Sequence, residues 1–250
     1  MKPAGEIPII RPGYFSVQAA ADRMRPVYDR YNEQILYNRL PVEFDFIGES
    51  ITQYWDLQAY FRGGTRTNAL IVNRGISGDI TLNMVQRFAA DVLQLKPKYV
   101  HIMGGTNNTW RMDAVDPREK RTPNQIYIDT ISQIGMMVRE SKKHGIKPLI
   151  GSNLPTGTGI PCFAHQPLLY CRDNSTDLRN ELLVMINHGS RQLAAQEQAI
   201  YINYHSHMTD HDGKTLRPEL ADDGLHPNVL GYNIMADVLR RTLSTFGIGI

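Results

Sequence analysis

The sequence predicts an α/β fold in which a parallel sheet of five strands lies between two layers of helices. Short apolar, β-rich runs alternate along the chain with longer helical patterns. Lys96-Pro97 and His144-Gly145 stand where two of these helices should stop. The 250 residues, 42% of them hydrophobic, are enough for one well-buried domain and few for two. We therefore expect a single three-layer α/β/α sandwich.

The elements follow one another in a regular order. Strands are expected at 42–47, 69–73, 98–103, 148–152 and 199–204, where the apolar runs are short. Helices are expected at 50–61, 81–95, 124–144, 177–198 and 228–246. Because a helix follows each strand, the strands should run parallel and the helices should cover both faces of the sheet.

Residues 1–40 stand apart as an N-terminal helical arm, and residues 41–250 form the domain proper. Two helical segments, 16–24 and 26–38, are expected around Pro26. The second carries an apolar stripe made of Val27, Tyr28, Tyr31 and Ile35. That stripe either packs on the sheet or forms a contact between subunits of a homo-oligomer.

Composition excludes several classes of partner. Lys plus Arg number 27 against 25 Asp plus Glu, a formal net charge of +2, and no basic run suits a nucleic-acid backbone. No apolar stretch reaches the roughly 20 residues that span a bilayer, and residues 1–6 lack the apolar core of a secretion signal. We expect a protein without an integral membrane segment that is either cytoplasmic or secreted by a signal since removed.

The two cysteines, Cys162 and Cys171, lie in one predicted loop. They are either free thiols or a disulfide that pins this loop. Their spacing matches no usual zinc pattern, and His205 and His207 have no further ligand motif beside them. No metal is expected.

Polar and small residues follow four of the predicted strands. Ser50 follows the first strand, Gly78 the second, Asn107 the third, and Asp223 and His226 lie on the loop after the fifth. Ligands of an open parallel sheet bind at the carboxyl ends of its strands, so these residues should meet at one edge. Serine, then aspartate, then histidine is one known chain order of a catalytic triad.

Each of these residues fits a role in acyl transfer. Ser50 could attack a carbonyl carbon once His226 takes its proton, and Asp223 could hold the imidazole in the required tautomer. The backbone N–H groups of Ser50 and Gly78 and the side-chain amide of Asn107 could stabilise the oxyanion that forms. The pattern predicts a serine esterase.

Four blocks that carry these residues resemble those of the SGNH hydrolases, the GDSL-type esterase and lipase superfamily. They are residues 46–52, 73–79, 104–108 and 223–228. The resemblance implies a flavodoxin-like SGNH hydrolase fold and a carboxylic ester hydrolase that needs no cofactor. It also implies Ser50, Asp223 and His226 as the triad, with Ser50, Gly78 and Asn107 in the oxyanion hole. Position 49 is Glu where the family usually has Asp, which motivates the alternative of a non-catalytic ligand-binding module with this fold.

The substrate must be inferred from the residues that would line the binding cleft beside the predicted triad. The candidates are aromatic: Trp55, Trp110, Phe163 and Tyr170, with core packing as the alternative for Trp55. Aromatic rings beside polar groups suit the faces of sugars, and no long apolar helix indicates a lid for long acyl chains. We expect a short acyl group, acetyl, on a carbohydrate or another small polar alcohol. The resemblance also permits an acetylhydrolase, lysophospholipase or thioesterase that acts on lipids.

Overall fold

The structure is a computed structural model that describes residues 20–61, 69–114, 116–157 and 176–250. The sequence predictions for Cys162, Phe163, Tyr170 and Cys171 lie outside these described residues. So does the start of the first predicted helix.

Five parallel strands form one sheet, as the sequence predicts. They are β1 (Val42–Gly48), β2 (Leu70–Gly75), β3 (Tyr99–Met103), β4 (Lys147–Gly151) and β5 (Ile200–Ile202). Their order across the sheet is β2-β1-β3-β4-β5, which is the order of flavodoxin-like folds. The last strand is shorter than expected because the chain turns at once, with the Tyr204 N–H donating to the Ile202 carbonyl.

The described helices are α1 (Ala20–Tyr37), α2 (Ser50–Gln53), α3 (Leu57–Tyr60), α4 (Thr81–Asp91), α5 (Thr106–Thr109), α6 (Pro123–Lys143), α7 (Thr176–Glu197), α8 (His205–Met208) and α9 (Val229–Ser244). Short 3-10 turns occur at Leu93–Leu95, Trp110–Asp113 and Pro218–Leu220. The helix predicted at 50–61 is two short helices, because the Asp56 side chain accepts the Ala59 N–H and starts α3 anew. None of these described helices has the length and apolar character that crossing a membrane requires.

Helix α1 differs from the prediction of two helices around Pro26. One helix runs through this proline, and it buries Tyr28 and Ile35 while Val27 and Tyr31 stay exposed. The buried face packs beside β2, where the Tyr28 hydroxyl donates to the Gly75 carbonyl. Of the four residues in the predicted apolar stripe, only Tyr28 and Ile35 therefore face the core.

The core occupies both faces of the sheet. On one face, aromatic side chains of β1 such as Phe44 and Phe46 pack against Met235 and Leu239 of α9. On the other face, apolar residues of β1, β3 and β4 pack against α4, α6 and α7: Ile47, Val100, Ile102, Ile150, Met84, Phe88, Ile134, Met137, Val138, Leu193 and Ala194. Successive side chains of a strand point to opposite faces of the sheet, so the same strands supply apolar side chains to the helices on both sides.

The strand ends that lead to the site lie level with one another. Gly48 at the end of β1 pairs with Gly75 of β2 on one side and Met103 of β3 on the other. A Cβ on Gly75 would lie 2.2 Å from the backbone nitrogen of Gln53, the last residue of α2, so the end of α2 lies directly on the end of β2. The loops after these three strands therefore begin at one edge.

Candidate active site

Ser50 is the first residue of α2, at the point where β1 turns into a helix. Its side chain is buried apart from a small opening. The Ser50 hydroxyl lies 2.8 Å from Nε2 of His226, so it does not act as a helix cap. A buried serine bonded to an imidazole is the arrangement of an activated nucleophile.

Asp223 completes the hydrogen-bonded chain. Its Oδ2 lies 2.6 Å from Nδ1 of His226, and its Oδ1 accepts the backbone N–H groups of Leu225 and His226. Partial burial raises the pKa of Asp223, but the bonds from His226 and Leu225 outweigh it, and the pKa is lowered. An ionised Asp223 requires the proton of the neutral imidazole to sit on Nδ1, so that the Nε2 lone pair can accept a proton from the Ser50 hydroxyl.

The turn that carries Asp223 and His226 is held from two sides. Gly224 lies within it at a φ of 72°, and its carbonyl accepts the N–H of Gly157 at 2.7 Å. Asn180 on α7 fixes the preceding residue, Thr156, by bonds to its N–H, hydroxyl and carbonyl. The loop after β4 thus supports the loop after β5.

The loop after β2 brings Gly78 to the same edge. Gly78 has a φ of 83°, a conformation that glycine adopts without strain, and a Cβ at this position would meet nothing within 4 Å. The neighbouring Asp79 is buried and accepts from Nε of Arg87 at 2.7 Å. Arg87 also donates to the Gly48 carbonyl, so one guanidinium links the loops after β1 and β2.

Asn107 lies on α5, directly after β3. Its side-chain Nδ2 donates to the carbonyl of Asp79 at 2.9 Å. An amide nitrogen carries two hydrogens, so this bond fixes the side chain and leaves one N–H for another acceptor. The loops after β2 and β3 are joined at this point.

Glu49, the residue that departs from the usual family pattern, is buried between the serine turn and α5. Its Oε1 accepts the N–H of Gly105 at 2.7 Å and its Oε2 accepts that of Asn107 at 3.1 Å. Burial raises the pKa of Glu49 to about 8, although these two bonds oppose the shift. The longer side chain is accommodated by hydrogen bonds, which removes the reason to suspect an inactive site.

The expectation that Trp55 walls the cleft is wrong. Its indole is only 1% exposed and packs in the core, where it stacks on Tyr232 with ring centroids 5.8 Å apart. Tyr54 faces the site instead: its ring is 53% exposed and meets the His226 ring edge-on at 5.2 Å. Helical spacing could have identified it, because Tyr54 lies four residues after Ser50 and so on the same side of the turn.

Two further sequence predictions can be placed. Trp110 is half-buried, and the guanidinium carbon of Arg179 lies 3.6 Å from its ring centroid, so one face of the indole is covered.

His205 is buried and His207 exposed, because both lie on the short helix α8 rather than in a strand where they would share a face.

The family model of the GDSL-like lipases and acylhydrolases matches residues 46–234. This stretch contains every residue that the sequence predicts for a triad and an oxyanion hole. The chain belongs to the GDSL-like lipase/acylhydrolase family. It is therefore a carboxylic ester hydrolase, and the resemblance read from the four sequence blocks is confirmed.

Relatives of this family member include proteins of two bacilli. The chain is 26% identical to an acetylxylan esterase of Geobacillus stearothermophilus over 175 residues, which are 69% of this chain and 71% of that one. It is 34% identical to an uncharacterized lipoprotein of Bacillus subtilis over 113 residues, which are 40% of this chain and 43% of the lipoprotein. The match thus spans less than half of the lipoprotein.

Among solved structures, a GDSL-like lipase of Bacteroides thetaiotaomicron is similar in fold, with a TM-score of 0.66. It is 25% identical, and the similarity covers 88% of this chain and 98% of that protein. The predicted α/β/α sandwich of the SGNH hydrolases is confirmed.

Proposed function

We propose that this hydrolase cleaves short-chain esters, acetyl esters above all, of a carbohydrate or another small polar alcohol through an acyl-enzyme on Ser50. The observation that carries the proposal is the chain of contacts from Ser50 Oγ through the His226 ring to the Asp223 carboxylate. The distances are those at which a proton can move from the hydroxyl to the imidazole.

In the first half of the proposed reaction, Ser50 Oγ attacks the acyl carbon while its proton passes to Nε2 of His226. The carbonyl oxygen becomes an oxyanion that accepts from the backbone N–H groups of Ser50 and Gly78 and from the amide of Asn107. His226 then gives the proton to the alcohol oxygen as the ester C–O bond breaks. The alcohol leaves, and the acyl group stays on Ser50.

In the second half, a water molecule attacks the acyl carbon and gives a proton to His226. The same three donors stabilise the second oxyanion, and Ser50 Oγ leaves with the proton from His226. The acid is released and the enzyme is restored. Asp223 stays ionised throughout and stabilises the imidazolium in each half.

Preference for a polar alcohol is supported by the side chains around the triad. Tyr54 presents an exposed ring beside His226, and its hydroxyl lies 3.5 Å from that of Ser77. An aromatic face with polar groups next to it suits a sugar ring better than an alkyl chain. The relative named as an acetylxylan esterase supports the same substrate class.

Acyl-chain and substrate screens test this proposal. We expect p-nitrophenyl acetate to be hydrolysed with a higher kcat/KM than p-nitrophenyl octanoate, and acetate to be released from acetylated xylo-oligosaccharides. Tyr54→Ala should raise KM for the acetylated sugar and leave KM for p-nitrophenyl acetate almost unchanged. A preference for the octanoyl ester, or activity on a lysophospholipid or thioester above that on the sugar, would contradict the proposed substrate.

Other features expected from the sequence stay predictions. They are the division into an arm of residues 1–40 and a domain of residues 41–250, the homo-oligomer and the cytoplasmic location. Light scattering of the purified chain and fractionation of the source cells would test the last two.

A further inference from the structure

We propose that Glu49 is a positioning residue that holds α5, and with it Asn107, against the turn that carries Ser50. This inference rests on the function proposed above for the Ser50 site. The proposed oxyanion hole takes its donors from three loops that are far apart in sequence, and the Glu49 carboxylate directly joins two of them, the loops after β1 and β3. It fixes where the donors stand relative to each other before a substrate arrives.

The contacts of Glu49 are made by both of its oxygens. Gly105 and Asn107 donate their backbone N–H groups at 2.7 and 3.1 Å, and the side chain that accepts them is 4% exposed. Gly105 is the N-cap residue of α5, and no side chain of its own caps this helix. A carboxylate from another loop takes that place and satisfies donors that would otherwise be buried without a partner.

Two anchors therefore fix Asn107. Its backbone N–H is held by Glu49, and its side-chain amide is held by the Asp79 carbonyl. Ser50 is the residue immediately after Glu49, so any shift of the Glu49 backbone moves the Ser50 N–H as well. The distance between two of the three proposed donors, the Ser50 N–H and the Asn107 amide, thus depends on one buried side chain.

The charge of this side chain matters as well as its shape. An ionised carboxylate can accept at both oxygens, whereas a protonated one turns an oxygen into a donor. Burial raises the pKa of Glu49 to about 8, the bonds from Gly105 and Asn107 lower it, and the charge of Asp79 raises it. Asp79 is itself paired with Arg87 on α4, and His226 and Asp223 are the titratable groups on the loop that contacts Ser50.

The test compares Glu49→Gln with Glu49→Asp. Glutamine keeps the shape and loses the charge, while aspartate, the usual residue of the family, keeps the charge on a shorter side chain. We expect E49Q to lose about tenfold or more in kcat for p-nitrophenyl acetate, with KM within about twofold of the wild type, because misplaced donors act only on the transition state. E49D should retain more kcat than E49Q. The wild-type rate should rise between pH 7 and 9, and E49Q should lack this rise.

Asp45→Asn is the matched control. Like Glu49, Asp45 is buried, and burial raises its pKa to about 8, but it lies on β1 outside the site. This variant should keep the wild-type kcat and the rise between pH 7 and 9. Thermal unfolding of each variant identifies any that fail to fold. If E49Q is folded and matches the wild type, or has at least the kcat of E49D, the positioning role is overturned.

Two outcomes remain to be assigned. If E49Q does not fold, the pH profiles of the wild type and D45N test the positioning role of Glu49. That role is overturned if the wild-type rate does not rise between pH 7 and 9, or if D45N abolishes the rise. If wild type and Ser50→Ala are equally active, the proposed function itself fails, whatever the Glu49 variants do.

Discussion

Nε2 of His226 lies 2.8 Å from Oγ of Ser50, although 176 residues separate them in sequence. The sheet explains the contact, because Ser50 follows a central strand and His226 comes just before α9, which packs across one face. Asp223 holds the backbone N–H of His226 as well as its ring. The imidazole is therefore fixed by its own loop before it meets the serine, as a preorganised site requires.

Asp223→Asn should reduce kcat on the order of a thousandfold or more and change KM little. The amide nitrogen would donate toward Nδ1 of His226 and favour the tautomer that carries its proton on Nε2, which cannot accept from Ser50. Steady-state kinetics on p-nitrophenyl acetate measures the loss. A variant within tenfold of the wild-type kcat would show that Asp223 does not orient the base.

Gly78→Ala and Gly75→Ala separate a role in the site from a role in folding. At Gly78 an added Cβ meets open space, so only the positive φ is strained, at a cost of about 1–2 kcal/mol. We expect G78A to fold but to lose about tenfold or more in kcat/KM, because relief of the strain turns the N–H away from the oxyanion.

In G75A the new Cβ collides with the Gln53 backbone at 2.2 Å, so this variant should be strongly destabilised. Urea denaturation and kinetics on the two proteins check both expectations. A stable G75A, or a G78A of unchanged kcat/KM, would contradict the assigned positions.

Arg87→Met should cost about 3–5 kcal/mol of stability, because Asp79 and Asp91 would lose their buried cationic partner. It should also lower activity, since the same guanidinium donates to the Gly48 carbonyl, two residues ahead of Ser50. Urea denaturation measures the first effect. Arg118→Gln is the control: its exposed pair with Asp116 should leave the unfolding midpoint unchanged. Equal midpoints for the two variants would refute the structural role of Arg87.

Asp45→Asn should be more stable than the wild type at alkaline pH. Burial raises the pKa of Asp45 to about 8 from 3.8, and neither carboxylate oxygen has a hydrogen-bond partner within the described parts of the chain. The folded state then binds the proton more tightly than the unfolded state, so stability falls as pH rises from about 4 to about 8.

The asparagine cannot titrate, and its advantage should grow across that window by on the order of a few kcal/mol and then stay constant. Chemical denaturation of both proteins at pH 5, 7 and 9 measures the difference. An advantage that does not change with pH would mean that Asp45 is not a buried acid.

Much of the candidate site can be predicted from the sequence, because most of its residues lie directly after the ends of strands. Ser50, Gly78 and Asn107 each come a few residues after an apolar strand, and parallel strands bring their carboxyl ends to one edge. The Asp223 and His226 pair is close in sequence, so its internal geometry is local. The alternation of strands and helices was sufficient to predict the fold, and these spacings predict that Ser50, Asp223 and His226 form a triad.

The rest depends on contacts that sequence periodicity does not reveal. Trp55 and Tyr54 are adjacent aromatic residues, and only the direction of α2 decides which of them enters the core. Glu49 finds its partners more than fifty residues away, at Gly105 and Asn107. Pro26 lies inside α1 because tertiary contacts of that helix, such as the Tyr28 bond to β2, outweigh the local cost of a proline.

The most direct test of the account is the hydrolysis of p-nitrophenyl acetate by the wild type and by Ser50→Ala, corrected for the spontaneous rate. Ser50 is proposed to form the acyl-enzyme, and the other assigned residues act on it. We expect the wild type to turn over and S50A to fall to the background rate, with the acetyl group detected by mass spectrometry on the wild-type peptide that contains Ser50. Equal rates for two folded proteins would contradict the assignment of Ser50 as the nucleophile.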